Sequence, residues 1–397
     1  MVWLHVIAGA LSTIISYVAL RPAPTYLLWF VRIGVTEWGH WLAPLTLAPL
    51  LGERRLRWSS WLLGVAGIVA QAPRVQAWRI ARTLPDQVTV AFGSATPKAL
   101  PNAPTRPAPL VIADLLRSIP LPKITPERLQ YAQRDGQALT LDVYHPPFQT
   151  FSQHPDSDSR SPIPDPHRKA PLIIVIHGGA WESGDSTQLP ALNRYLAARG
   201  YAVAAINYRL APQHRFPKAL DDLRAALDYL CSRADALGID ASRVVLLGRS
   251  AGAQLALLAA YTAPHSSIRG VVAFYGPTDL RWGYEHPSNP AVLDSCAVLE
   301  RYLGGAPSDA PDRYYAASPI HYVDAQTPAT LLIHGETDEM VSVIHSERLA
   351  AKLTQAERPH LFLRLPWAAH GCDANFSGPS GQLSLYAIER FLVAVCA

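Results

Sequence analysis

Charge is scarce in this chain. Only 17% of its 397 residues are Asp, Glu, Lys or Arg, and 35 basic against 31 acidic residues leave a net charge of +4. No basic stripe interleaved with aromatics appears, so nothing in the composition points to a nucleic-acid partner. Cysteine is scarce too. The four cysteines, Cys231, Cys296, Cys372 and Cys396, are scattered without metal-ligand spacing. Neither a metal site nor a disulfide framework is expected from them, and Cys372 reads as a small buried residue. No internal repeat divides the chain.

The N-terminus lacks charge altogether: from Met1 to Leu20 there is no Asp, Glu, Lys or Arg. A cleaved signal peptide would carry positive charge ahead of its apolar stretch, and none stands here. A helix of ~20 residues spans about 30 Å, the thickness of a hydrocarbon core. Two more apolar stretches follow, Tyr26 to Leu51, interrupted by Arg32 and Glu37, and Trp58 to Pro73. Trp29, Trp38, Trp41, Trp58 and Trp61 suit interfacial belts. The sequence therefore predicts a membrane-associated helical region over residues 1–83, integral through these apolar helices. The alternative is a set of helices that cap a soluble domain and hide their apolar faces there. Arg54, Arg55 and Arg57 argue for one orientation and Arg74, Arg79 and Arg82 for the other, so the side of the membrane stays open.

Residues 84–128 are rich in proline (Pro97, Pro101, Pro104, Pro107, Pro109, Pro120, Pro122 and Pro126) and read as an extended linker. A catalytic domain is expected over 129–397. It opens on two alternating runs around Asp135-Gly136, a hairpin signal, and carries a Ser/Pro/Asp-rich, disordered insertion at 146–171. Short apolar strands then alternate with helices: Leu172–Ile176, Ala202–Asn207, Val244–Leu247, Gly270–Phe274, Thr330–Ile333 and Leu361–Leu365 against Leu189–Arg199, Ala219–Ser232 and Gln382–Val395. Continuously apolar strands of this length predict an α/β fold, with a mostly parallel sheet covered on both faces.

One pentapeptide carries the chemistry. Gly248-Arg249-Ser250-Ala251-Gly252 stands between an apolar strand and a helix-forming run, where a tight turn would project the Ser250 hydroxyl while two glycines keep neighbouring backbone clear. A serine needs a base, and the base needs an orienting acid. His370 follows the run Leu361–Leu365, and Asp338 follows Thr330–Ile333, giving the chain order serine, aspartate, histidine. Asp279 is the rival acid, while Glu336 and Glu339 read as solvated loop residues. His177-Gly178-Gly179-Ala180-Trp181, directly after the first parallel strand, is a glycine-rich turn whose backbone N–H groups could receive a developing oxyanion, with the Ala251 N–H completing the hole. His177 is expected to brace that loop.

From Leu129 onward these motifs, together with Asn207-Tyr208-Arg209-Leu210-Ala211-Pro212 and Phe216-Pro217-Lys218-Ala219-Leu220-Asp221-Asp222, resemble the α/β-hydrolase fold. The resemblance is close to hormone-sensitive-lipase-like carboxylesterases and their bacterial esterase relatives. It implies Ser250 as nucleophile, Asp338 as acid and His370 as base, with Gly179, Ala180 and Ala251 supplying the oxyanion-hole N–H groups and Gly178 shaping the loop. Ala180 replaces a frequent third glycine, and its methyl and the Trp181 indole would narrow the acyl pocket. The resemblance implies an ester hydrolase without cofactor, acting on a small-molecule, hydrophobic or small ester. The His-Gly-Gly-x-Trp form is shared with arylformamidases and prenylcysteine methylesterase-like proteins, so amide or formamide hydrolysis is the alternative. A catalytically silent binding module is the alternative of another class.

Overall fold

The computed structural model describes residues 2–42, 44, 58–93, 105–147, 169–262 and 267–396. Eight strands form one sheet: β1 (Glu127–Arg134), β2 (Gln137–Tyr144), β3 (Ala170–Ile176), β4 (Ala202–Ile206), β5 (Ile239–Arg249), β6 (Ile268–Phe274), β7 (Ala329–Gly335) and β8 (His360–Leu365). Their order is β1-β2-β4-β3-β5-β6-β7-β8, antiparallel at the β1-β2-β4 end and parallel from there on. The hairpin between β1 and β2 turns at Asp135 and Gly136, both with positive φ (49° and 77°), as a two-residue turn of this hand requires.

The central strands β3 and β4 are apolar throughout because both faces are covered. Along β3, Leu172, Ile174 and Ile176 pack with the helices Lys218–Ser232 and Ala251–Thr262, while Ile173 and Val175 pack with Pro190–Ala198 and the C-terminal helix Pro379–Val395. The two resembling motifs after β4 have structural work here. Arg209 is buried and its guanidinium bonds Asp222 on the helix Lys218–Ser232 (Nη2 to Oδ1, 2.7 Å) and Asp135 in the hairpin turn.

The N-terminal region corrects the expectation of membrane spans. Among the described residues no helix is long and apolar enough to cross a membrane. The helices Val2–Leu20, Tyr26–Trp38 and Trp58–Val69 do form, and Val18, Ala19, Val35 and Ala70 make a small core between them. Leu27, Phe30 and Trp61 remain exposed, while the inner face of Tyr26–Trp38 lies on the loops that follow β7 and β8. Arg32 and Glu37, the two charges that interrupt this apolar stretch, are buried there, at 1% and 0% exposure. An apolar helix face is satisfied equally by lipid or by protein, and protein covers the inner face of Tyr26–Trp38, at Ile33 and Val35. The basic loop at Arg54, Arg55 and Arg57 lies outside the described residues.

The expected linker differs as well. The helix Ala72–Phe92 runs through its first residues with Pro85 inside, and Ala77, Leu84 and Val88 pack into the core beside the C-terminal helix. Farther on, Arg106 is buried against Gln382 (2.8 Å) and Asp114 (2.8 Å), and Ile119 joins the same core. Proline removed hydrogen-bond donors from this segment without removing its apolar anchors. Residues 94–104 of the linker, and 148–168 of the expected disordered insertion, lie outside the described residues.

Candidate active site

All four motif loops leave the carboxyl ends of parallel strands, β3, β5, β7 and β8, the edge at which open α/β sheets collect their functional groups. Ser250 follows β5 directly, with φ of 53°, a left-handed conformation unusual for a residue with a side chain. Its N–H donates to the Phe274 carbonyl at 2.9 Å, which anchors the turn to β6. The flanking glycines have a steric reason. A Cβ on Gly248 would stand 2.2 Å from the Gly252 carbonyl oxygen, and one on Gly252 would stand 2.3 Å from both the Ile176 and His177 oxygens.

Three side chains meet in a line. His370 Nε2 lies 3.0 Å from Ser250 Oγ, and His370 Nδ1 donates to Asp338 Oδ2 at 2.8 Å. Asp338 is fully buried, and its Oδ1 accepts the N–H groups of Met340 (2.9 Å) and Val341 (2.8 Å). Burial alone would raise its pKa. The electrostatic pull of the adjacent His370 and the hydrogen bonds from His334 and His370 outweigh that, and the carboxyl is held well below the usual range. An anionic acid beside Nδ1 keeps the Nδ1–H tautomer and leaves Nε2 as the acceptor facing serine.

His334, at the end of β7, is a partner that the sequence motif did not single out. Its Nε2 faces two acceptors, the Val341 carbonyl at 2.9 Å and Asp338 Oδ2 at 3.3 Å, so the proton sits on Nε2 and Nδ1 accepts from the Ser346 hydroxyl at 2.7 Å. A histidine four residues before the acid, at a strand end, was the available signal. Asp279, the rival acid, instead caps the helix Leu280–Glu285 and pairs with Arg348 at 2.6 Å. Glu336 pairs with Arg364 at the surface, but Glu339, expected to be solvated, is buried and accepts the Ala23 N–H at 2.8 Å.

The glycine-rich loop after β3 bends back through three positive φ angles at Gly179, Ala180 and Trp181 (121°, 55° and 61°). At Gly179 a Cβ would stand 2.2 Å from the Ser183 carbonyl oxygen, which makes glycine necessary there. The Gly178 N–H donates to Gln188 Oε1 at 2.9 Å and is therefore engaged within the loop. That bond ties the root of the loop to Gln188 and leaves Gly178 apart from the three donors named for the oxyanion. Among the described residues, the N–H groups of Gly179, Ala180 and Ala251 show no such engagement. His177 turns its ring against Tyr208 (centroids 4.2 Å apart) and its Nδ1 donates to the Gly178 carbonyl at 2.8 Å, so it braces the loop. Burial pushes its pKa down, which keeps it neutral.

Beneath the serine lies a buried ion pair. Arg249 Nε bonds Asp373 Oδ2 at 2.5 Å, and Tyr275, whose ring packs 4.5 Å from that of His370, donates its hydroxyl to Asp373 Oδ1. In front of it opens a cavity of about 260 Å³ lined by Ser250, Ala180, Trp181, Leu280, Val298 and Met340 among others. Trp181 is fixed by stacking on Tyr302 (4.2 Å) and by an Nε1–H bond to Gln254 at 3.0 Å. All four cysteines are free, with Cys372 buried. No cluster of His, Cys, Asp and Glu fit to hold a metal occurs among the described residues.

Residues 163–353 match the BD-FAE family model. Esterase LipC of Mycobacterium tuberculosis is 32% identical over 242 residues, covering 57% of this chain and 59% of LipC. The chain therefore spans about three-fifths of that relative. LipM of the same organism, a probable carboxylic ester hydrolase, is 27% identical over 404 residues, 93% of this chain and 86% of LipM. Among solved structures, Thermogutta terrifontis esterase 2 phosphonylated by sarin superposes with a TM-score of 0.53 at 23% identity, covering 69% of this chain and 94% of that one. The chain has the α/β-hydrolase fold.

Proposed function

We propose that this chain is a serine carboxylic-ester hydrolase working through an acyl-enzyme, with catalysis carried by residues 129–397. The observation that carries the reading is the line from Asp338 through His370 to Ser250, at 2.8 Å and 3.0 Å, opening on an apolar pocket. In this reading Ser250 Oγ attacks the ester carbonyl carbon while His370 Nε2 takes its proton, and Asp338 steadies the imidazolium. The oxyanion is held by the N–H groups of Gly179, Ala180 and Ala251, each such donor being worth about 2.7–4 kcal/mol in the transition state. His370 then returns the proton to the leaving alcohol oxygen. Water attacks the acyl-enzyme, His370 takes the water proton, and the acid departs as Ser250 regains its hydrogen.

The apolar lining and the closed wall of Trp181 against Tyr302 favour small hydrophobic acyl groups. The test is hydrolysis of p-nitrophenyl esters from acetate to palmitate, with wild type beside Ser250→Ala. We expect activity that peaks at short to medium chains and disappears in the variant. Folded wild type that is silent on every chain length, or faster on a matched anilide than on the ester, would remove the ester reading.

A further inference from the structure

The helix Tyr26–Trp38 touches both loops that deliver the acid and the base. Arg32 Nη2 donates to Thr337 Oγ1 at 2.5 Å and to the Trp367 carbonyl at 3.2 Å, and its Nε stands 3.3 Å from Glu339 Oε1. Thr337 and Glu339 are the two neighbours of Asp338, and Trp367 is three residues before His370. The Thr337 hydroxyl passes the link on, donating to the Ala368 carbonyl at 2.9 Å. Trp29 Nε1 donates to the carbonyl of His370 itself at 3.0 Å.

We propose that Arg32 and Trp29 are positioning residues for the hydrolysis, holding the acid loop and the base loop in register so that His370 spans Asp338 and Ser250. Packing alone does not call for them. A guanidinium 1% exposed carries a desolvation cost that Leu or Met would avoid. What arginine adds is a planar fork whose donors point in fixed, divergent directions, able to hold two loops at once. An indole adds one N–H at the edge of a ring, here aimed at the backbone of the base. Neither residue reaches the reacting atoms. Their effect is transmitted through main-chain position, where about 1 Å of misplacement can lower a rate 10²-fold.

The inference rests on the ester-hydrolase reading above. Its test uses the full chain with Trp29→Phe, Arg32→Lys and the charge-neutral pair Arg32→Met with Glu339→Gln. For each, kcat and KM are measured per active site, the sites being counted by fluorophosphonate labelling of Ser250. We expect kcat per labelled site to fall about tenfold in Trp29→Phe and more in the Arg32 variants, on the scale of that misplacement effect. KM in Trp29→Phe and Arg32→Lys should stay within about threefold, since neither residue lines the pocket. A merely structural role would lower the number of labelled sites and leave the turnover of each unchanged. Trp29→Phe keeps a ring against Tyr26 and Phe30, so it carries the test where an Arg32 variant does not fold. Turnover per site within twofold of an active wild type in Trp29→Phe overturns the brace alone. An inactive wild type whose Ser250 resists labelling overturns both readings.

Discussion

Two glycine-to-alanine substitutions should have opposite outcomes. At Gly252 a new Cβ would lie 2.3 Å from the carbonyl oxygens of both Ile176 and His177. Ordinary carbon–oxygen contact begins near ~3.4 Å, so about 1 Å of overlap must be relieved in two places. Both obstacles are backbone, one at the end of β3 and the other at the root of the glycine-rich loop, and no flexible side chain can swing away. Overpacking of this kind costs about 1–3 kcal/mol or more. The relief available is a shift of the helix Ala251–Thr262 away from β3, which separates the Ala251 N–H from those of Gly179 and Ala180. Gly252→Ala should therefore lower the urea midpoint by the equivalent of about 2 kcal/mol and lower kcat by about 10²-fold. Gly34 is the control: it is helical, and an added Cβ would meet nothing within 4 Å. Gly34→Ala should gain about 0.5–1 kcal/mol and leave kcat unchanged. Urea unfolding and p-nitrophenyl butyrate hydrolysis read both. Gly252→Ala with stability and kcat equal to those of Gly34→Ala would refute the steric argument.

Asp338→Asn should lower kcat by about 10³–10⁴-fold with KM little changed. The Met340 and Val341 N–H groups hold an oxygen at the Oδ1 position, so the amide nitrogen would face His370 Nδ1 and force the other tautomer; a pH-independent loss below tenfold would contradict this. Arg249→Met leaves Asp373 buried with the Tyr275 hydroxyl and should cost about 3–5 kcal/mol, whereas adding Asp373→Leu should restore part of it. Equal, additive losses in a double-mutant cycle would show that the two charges are not coupled. Desolvation lifts the Glu37 carboxyl from the ordinary 4.5 to about 7. A raised carboxyl favours the folded state fully below the unfolded value, and that contribution is lost as pH rises through the folded one. Glu37→Gln should flatten the dependence of unfolding free energy on pH between 5 and 7, and a slope there identical to that of wild type would argue against it.

The sheet was largely legible because buried parallel strands leave a distinctive trace: five to seven consecutive apolar residues, as in Leu172–Ile176, with no polar face to alternate with. Ser250, Asp338 and His370 were legible for a related reason, each lying just past such a run where the carboxyl edge gathers side chains. The bracing of the glycine-rich loop was less so. The Gly178 N–H is held by Gln188, ten residues away in a loop, and no spacing rule encodes that contact. The N-terminal helices were read through their apolar character, which does not distinguish lipid from protein. The discriminating signal was present in the two charges inside the second stretch. Glu37 accepts the Ser380 hydroxyl at 2.6 Å and Arg32 bridges Thr337 and Trp367, partners too distant in sequence for any local pattern to announce.

That distance has a consequence for how the protein is made. The bonds between the Tyr26–Trp38 helix and the catalytic loops close across separations of 305 to 343 residues. The helix leaves the ribosome well ahead of its partners Thr337, Trp367, His370, Asn375 and Ser380. Strands β1 to β6 can pair while the chain is still growing, and the nucleophile turn with them. The seam between this helix and the catalytic loops closes only after Ser380 has been made, at the loop-closure cost of a very long connection. A chain stopped before Trp367 would retain the serine on a largely built sheet while lacking both the base and the surface on which its first helices come to rest.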